Sequence, residues 1–156
     1  TQWLERFTNL IVTRTFSKAY GLAGLRVGYA VSHPQVADLL KRVRQPFNVN
    51  LVAQAAALAA LDDHAHIAES LQRNREGMRQ LLDGFSALRL TWIESVGNFV
   101  AVDTGRAGSD VYAALLREGV IVRPVANYEM PNHLRITVGN REENTRFLEA
   151  LEKVLS

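Results

Sequence analysis

The chain has 156 residues, of which 47% are hydrophobic and 22% charged, and a net charge of +2. That is enough chain for a core, and too little charge to argue for a nucleic-acid partner. With no cysteine there is no disulfide framework or thiolate chemistry, and no apolar run reaches membrane-spanning length, so the default compartment is the cytoplasm.

Gln2 to Phe7 reads as a short amphipathic piece, broken by Thr8-Asn9. Leu10 to Arg14 opens on the apolar run Leu10-Ile11-Val12 and reads as a strand. The stretch Thr13 to Tyr29 then reads TRTFSKAYGLAGLRVGY, with glycines at Gly21, Gly24 and Gly28. A second strand is predicted over Arg26 to Val31. Ser32 is the expected N-cap of a helix with Pro34 in its first turn and the stripe Val36, Leu39, Leu40, Val43, ending before Pro46. After the loop 45–50, Leu51 to Leu61 is apolar on every face, as in a helix that is buried all round or lies in an oligomer interface. His64 to Leu88 is one long helix. Its apolar stripe is Ile67, Leu71, Met78, Leu81, Leu82 and Phe85, and Arg73, Arg75, Glu76 and Arg79 form a solvated face. His64 and His66 stand two apart and cannot share a helical face, so no metal site is expected.

From about residue 87 the pattern changes to short strands alternating with helices. Strands are expected at Leu88 to Ile93, Asn98 to Asp103, Val120 to Pro124 and His133 to Val138. One helix starts at Ser109 and closes at Gly119; another starts at Asn140, with Glu143 completing a capping box. This is a small α+β layer, and the boundary is expected near residues 80 to 90, dividing the chain into 1–86 and 87–156.

The chemistry gathers in two places. Lys18 follows Ser17 directly, and Arg26 comes eight residues later among Phe16, Tyr20, Leu22, Leu25 and Val27. An ammonium is costly to keep in apolar surroundings, and the neutral amine is a nucleophile. The arginine offers a fork for phosphate or carboxylate. A nucleophilic lysine with hydroxyls and an anion-binding arginine is what a pyridoxal-phosphate site requires. In the second half, Arg123 and Arg135 sit within the aliphatic strands VIVRPV and LRITVG, where an arginine is either paired or on the exposed face.

The string Thr15-Phe-Ser17-Lys18-Ala-Tyr20-Gly21-Leu-Ala-Gly24-Leu-Arg26-Val-Gly28-Tyr29 resembles the lysine segment of fold-type-I pyridoxal-phosphate aminotransferases, and among them the histidinol-phosphate aminotransferases. The resemblance implies an α/β fold: the C-terminal part of an aspartate aminotransferase-like large domain, followed by a small α+β domain. It makes Lys18 the Schiff-base lysine and general base, and Thr15, Ser17 and Arg26 the holders of the cofactor phosphate. In the small domain it gives Arg135 the substrate α-carboxylate and Arg123 the distal end of the substrate, with Asn98 near the carboxylate and Tyr20 and Tyr128 as weaker candidates. The implied reaction exchanges histidinol phosphate and 2-oxoglutarate for imidazole acetol phosphate and glutamate. Related activities are those of an aromatic aminotransferase or a threonine-phosphate decarboxylase. A non-catalytic dimerisation module is the alternative from another class. The full-length enzyme is expected to be a homodimer, and loop 45–50 is either plain turn chemistry or, as in the family, a border of the active site at the dimer interface. Only the C-terminal portion of the family pattern is matched. The aspartate that pairs with the pyridine nitrogen and the ring that stacks on the cofactor have no match, so the chain alone is expected to be inactive.

Overall fold

The computed structural model describes residues 2–156. They pack as two compact units, Thr1–Ser70 and Leu71–Ser156. The division falls between residues 70 and 71, inside a long helix, whose last part packs into the core of the second unit.

The first unit holds α1 (Gln2–Arg6), the strands β1 (Ile11–Thr15) and β2 (Gly28–Ser32), α2 (Pro34–Val43), α3 (Leu51–Asp62) and the start of α4 (His64–Ala87). β1 and β2 form an antiparallel pair running from Ile11↔Ser32 to Thr15↔Gly28. The ladder gains one more bond beyond the strands, from the Phe16 N–H to the Val27 carbonyl at 3.2 Å. Gly28 lies so close to its partner strand that a Cβ there would meet the Arg14 carbonyl oxygen at 2.7 Å.

The strand expected to begin at Arg26 begins at Gly28. Arg26 instead closes a 3-10 turn (Ala23–Leu25) in the left-handed conformation, with φ 53°. Its guanidinium donates back to the Ala23 carbonyl at 2.9 Å, which steadies a conformation unusual for a side chain of this size.

The core of this unit is small: Phe16, Val27, Ala53 and Ala57, lined by Tyr20, Leu22, Leu25, Val49 and Ala60. His33, not Ser32, caps α2, its Nδ1 accepting from the Gln35 N–H at 3.4 Å. Asn50 caps α3 by accepting from the Ala53 N–H at 2.8 Å. Only Ala53 and Ala57 of α3 are buried, and Leu39, Leu40 and Val43 of the α2 stripe are exposed.

The second unit is an antiparallel sheet in the order β3 (Thr91–Ile93), β4 (Phe99–Asp103), β6 (His133–Thr137), β5 (Arg123–Pro124). One face is covered by the last part of α4, by α5 (Gly108–Arg117) and by α6 (Arg141–Leu155). Val100, Val102, Leu134 and Ile136 point into that layer and meet Leu81, Phe85, Val111, Leu115, Phe147 and Leu151. The alternate residues Phe99, Arg135 and Thr137 therefore stand on the other face.

Two strands are shorter than expected. Arg89 turns with φ 56° after α4, so β3 starts only at Thr91, and β5 pairs over two residues alone. Ser109 does not cap α5; the cap position is Ala107, and the Ser109 hydroxyl contacts Asp110 at 3.3 Å. The capping box at Asn140 and Glu143 is formed in both directions, at 2.9 and 2.8 Å.

A buried polar side chain ties α4 to α6. Asn144 is 2% exposed; its Nδ2 lies 3.3 Å from the Gly77 carbonyl and 3.2 Å from the Gly139 carbonyl, and its Oδ1 accepts from the Gly139 N–H at 2.9 Å. Gly77 has no room for a side chain: a Cβ would meet Val138 Cγ1 at 2.6 Å and the Gly139 carbonyl oxygen at 2.9 Å. Gly84, on the same helix, would meet only the tip of Leu148, at 2.5 Å. Gly77→Ala should therefore destabilise the second unit by about 1–3 kcal/mol through overpacking against backbone. Gly84→Ala should be close to neutral, because Leu148 can move and alanine is the better helix former by about 1 kcal/mol. Chemical denaturation of the two variants checks the contrast, and equal losses would contradict it.

Candidate functional site

Two clusters carry the polar chemistry, one in each unit. The first grows from the β1–β2 ladder. The last ladder bond, from the Phe16 N–H to the Val27 carbonyl, lies at the loop end of the hairpin, and Ser17 and Arg26 are the next residues on either side of it. Lys18 opens the turn that follows, which the Gly21 N–H closes by donating to the Lys18 carbonyl at 2.8 Å, with Gly21 at φ 71°. Thr15 Oγ1 accepts from the Ser17 N–H at 3.0 Å, which leaves the Thr15 hydroxyl proton to donate elsewhere. Thr15, Lys18 and Arg26 are exposed and Ser17 is half-buried.

The apolar surroundings expected for Lys18 are not provided by this unit. Phe16 is 4% exposed and packs with Val27, Ala53 and Ala57, and Tyr20, Leu22 and Leu25 fold onto the same small core. The turn carries Lys18 away from them. Tyr20 is half-buried, its ring 4.8 Å from that of Phe16. The result is an exposed primary amine in a connection that also carries two hydroxyls and a guanidinium. Such a set can take an aldehyde and a phosphate from one molecule.

The second cluster lies on the open face of the four-stranded sheet. Arg135 is the register partner of Ala101 on one side and of Arg123 on the other. Its guanidinium carbon lies 4.9 Å from the centre of the Phe99 ring. Its Nε is buried and has no hydrogen-bond partner, as is His133 Nδ1. Like charges directly opposite on a ladder are unfavourable, and a buried donor left unpaired costs more. One bound anion would relieve both. Arg123 and Tyr128 are exposed, the latter in a 3-10 turn (Ala126–Tyr128). Asn98 is exposed, and its carbonyl accepts from the Val138 N–H at 2.9 Å.

Two residues of this cluster were not singled out from the sequence. Phe99 seats the Arg135 guanidinium; the clue was its place in the same alternating set as the strand's exposed positions. Asn74, on α4, donates to the Gly97 carbonyl at 3.1 Å, and nothing in its helical surroundings marks it. Among the described residues no three His, Asp or Glu side chains gather as a metal site would need, and no helix is long and apolar enough to cross a membrane.

Comparison with known proteins bears on both clusters at once. The family model described as aminotransferase class I and II matches residues 1–151. Histidinol-phosphate aminotransferase 2 of Pseudomonas fluorescens is 65% identical over 154 residues, covering 99% of this chain and 42% of that protein. Histidinol-phosphate aminotransferase 1 of Nitrosococcus oceani is 59% identical, covering 98% of this chain and 41% of that protein. The chain thus spans about two fifths of the length of the curated relatives it matches.

Among solved structures, a histidinol-phosphate aminotransferase from Sinorhizobium meliloti in complex with pyridoxal-5'-phosphate matches with a TM-score of 0.87 at 32% identity. It covers 95% of this chain and 41% of that one. A protein from Erwinia carotovora atroseptica described as a histidinol-phosphate aminotransferase matches with a TM-score of 0.90 at 30% identity, covering 97% and 44%. These structures are fold-type-I, and the mixed helices and sheets described above are part of that α/β fold. A family model that runs through the lysine hairpin and the LRIT strand alike leaves one assignment: the chain belongs to the class I and II aminotransferases.

Proposed function

We propose that the working protein is a pyridoxal-phosphate-dependent aminotransferase acting on histidinol phosphate and 2-oxoglutarate in histidine biosynthesis. The observation that carries this is the connection between β1 and β2, which carries Ser17, Lys18 and Arg26 directly beyond Thr15, with Lys18 at the head of a hydrogen-bonded turn. The cofactor fits the donor set: a primary amine for its aldehyde, and two hydroxyls with a guanidinium for its phosphate. The substrate assignment is supported by the names of the relatives that share 59 to 65% of their matched residues with this chain.

When bound, pyridoxal phosphate supplies an electron sink that allows the bond from Cα to hydrogen to break. The chain's own residues do the rest. Arg26, Thr15 and Ser17 hold the phosphate end, and charge-assisted bonds make that hold directional. The Lys18 amine accepts the proton from Cα and returns it. Arg135, with an unused Nε–H, holds the substrate anion on the open face of the sheet, and Arg123, its ladder partner, serves the distal anion. Histidinol phosphate brings a phosphate and 2-oxoglutarate brings two carboxylates, so each gives two neighbouring guanidinium groups something to share.

The same reading makes the working protein a cytoplasmic homodimer. The support for association is the apolar surface of the first unit, where Phe47 is 96% exposed, Leu51 78% and Leu58 68%.

Incubation of this chain with pyridoxal phosphate, followed by borohydride reduction, should place the cofactor's mass on the peptide carrying Lys18. Lys18→Ala should remove it, and a label persisting on another lysine would sink the assignment. Arg26→Ala should weaken cofactor binding by about tenfold, the equivalent of one charge-assisted bond of about 1.5 kcal/mol; unchanged affinity would make Arg26 purely a turn residue. Arg135→Lys should weaken binding of every anionic amino donor, because lysine cannot supply the fork. Arg123→Ala should weaken histidinol phosphate and glutamate but spare alanine. Equal loss across all three in calorimetry would contradict that division.

A further inference from the structure

On the open face of the second unit the Arg135 guanidinium rests on the Phe99 ring, a residue that the proposed function gives no role. Phe99 and Arg135 are diagonal neighbours on β4 and β6, since Arg135 pairs with Ala101 and Thr137 pairs with Phe99. The small Ala101 leaves the guanidinium free to lean over, and it comes to rest 4.9 Å from the Phe99 ring centre. A cation over a ring face is attracted by the ring's quadrupole, and the flat contact also fixes the plane of the fork. The Arg135 Nε, buried and without a partner, then has its direction set by the ring beneath it.

Phe99 is itself the first residue of β4, where a strand end would fray. What holds it is the turn before it. The Gly97 N–H donates to Ser95 Oγ at 3.1 Å, the Asn98 carbonyl accepts from the Val138 N–H at 2.9 Å, and Asn74 reaches from α4 to the Gly97 carbonyl at 3.1 Å. The Asn74 bond anchors this turn to a helix side chain 23 residues away in sequence.

We infer that Phe99 and Asn74 are positioning residues for Arg135: Phe99 as the seat of its guanidinium, and Asn74 as the anchor that keeps that seat under it. The anion-binding consequence rests on the reading of Arg135 given above, but the positioning itself does not. Asn74 touches no group expected to meet the substrate and acts only through the Gly97 carbonyl and the turn.

The test is nuclear magnetic resonance of this chain with labelled arginine, titrated with inorganic phosphate. In the wild type the Arg135 side-chain protons should be shifted upfield by the Phe99 ring, and the Nε–H signal should move as phosphate is added. Phe99→Leu should abolish the upfield shift and weaken phosphate binding by about two- to fivefold, the size expected for an exposed cation–π contact. Phe99→Tyr keeps the ring face and should restore both. Asn74→Asp keeps the shape but loses the donor, and should reduce the upfield shift and the phosphate affinity together, while the core methyl signals of Leu115 and Leu134 stay in place.

A Phe99→Tyr variant as impaired as Phe99→Leu would overturn the role of the ring. An Asn74→Asp variant with the wild-type Arg135 shift and affinity would overturn the role of the anchor. If phosphate leaves wild-type Arg135 unmoved while the substitutions still change its ring shift, the positioning stands and the anion assignment of Arg135 falls.

Discussion

The pairing of β4 with β6 is the constraint on which the second unit depends. Five residue pairs, from Phe99↔Thr137 to Asp103↔His133, fix a period of two across both strands. That period sends Val100, Val102, Leu134 and Ile136 into the helical layer, where they are 0 to 3% exposed. It sends Phe99, Arg135 and Thr137 the other way. A slip of one residue would bury the arginine and expose the core, so the hydrophobic layer that stabilises the sheet is also what presents Arg135. The Asn144 bonds and the close approach of Gly77 to Val138 and Gly139 tie the end of β6 to the helices that cover it.

The first unit solves a related problem with much less core. Its hairpin ladder ends at Phe16 and Val27, and the chain then turns sharply so that Lys18 is exposed while Phe16, Val27, Ala53 and Ala57 are buried. Backbone geometry is the economical way to hold such a group. A hydrogen-bonded turn fixes where the amine starts without burying its charge, which would be costly with no partner nearby. The left-handed Arg26 belongs to the same device. Its strained backbone is held by its own guanidinium on the Ala23 carbonyl, so the residue proposed to bind phosphate also shapes the loop that contains it.

Much of this was legible in the residues. The periodic stripe of α4, the capping box at Asn140 and Glu143, and the glycine at the close of α5 each specify their elements through short-range forces. The string around Lys18 and the LRIT strand carried the family resemblance, because the chemistry there requires a lysine, hydroxyls and arginines at set places in the chain. The misplaced features were those in which a local signal met a competitor. Ser32 and Ser109 are good caps by residue type, but His33 and Ala107 occupy the cap positions, since Pro34 and the tight packing of Gly108 against the Pro131 and His133 carbonyls set where those helices begin. The strand expected at Arg26 yielded to a 3-10 turn, whose hydrogen bonds are invisible to a pattern of alternating side chains.

By itself, then, the sequence determined the elements that depend on neighbours three or four residues apart, the apolar layers, and the residue types at the two reactive clusters. Tertiary structure decided what depends on distant partners. It set Arg123 opposite Arg135, laid the Arg135 guanidinium over Phe99, brought Asn74 to the Gly97 carbonyl, and left Lys18 exposed although its neighbours in the chain are apolar. The reason is that strand register and the side of a turn are settled by the core as a whole, whereas propensity and capping act within a single turn of chain.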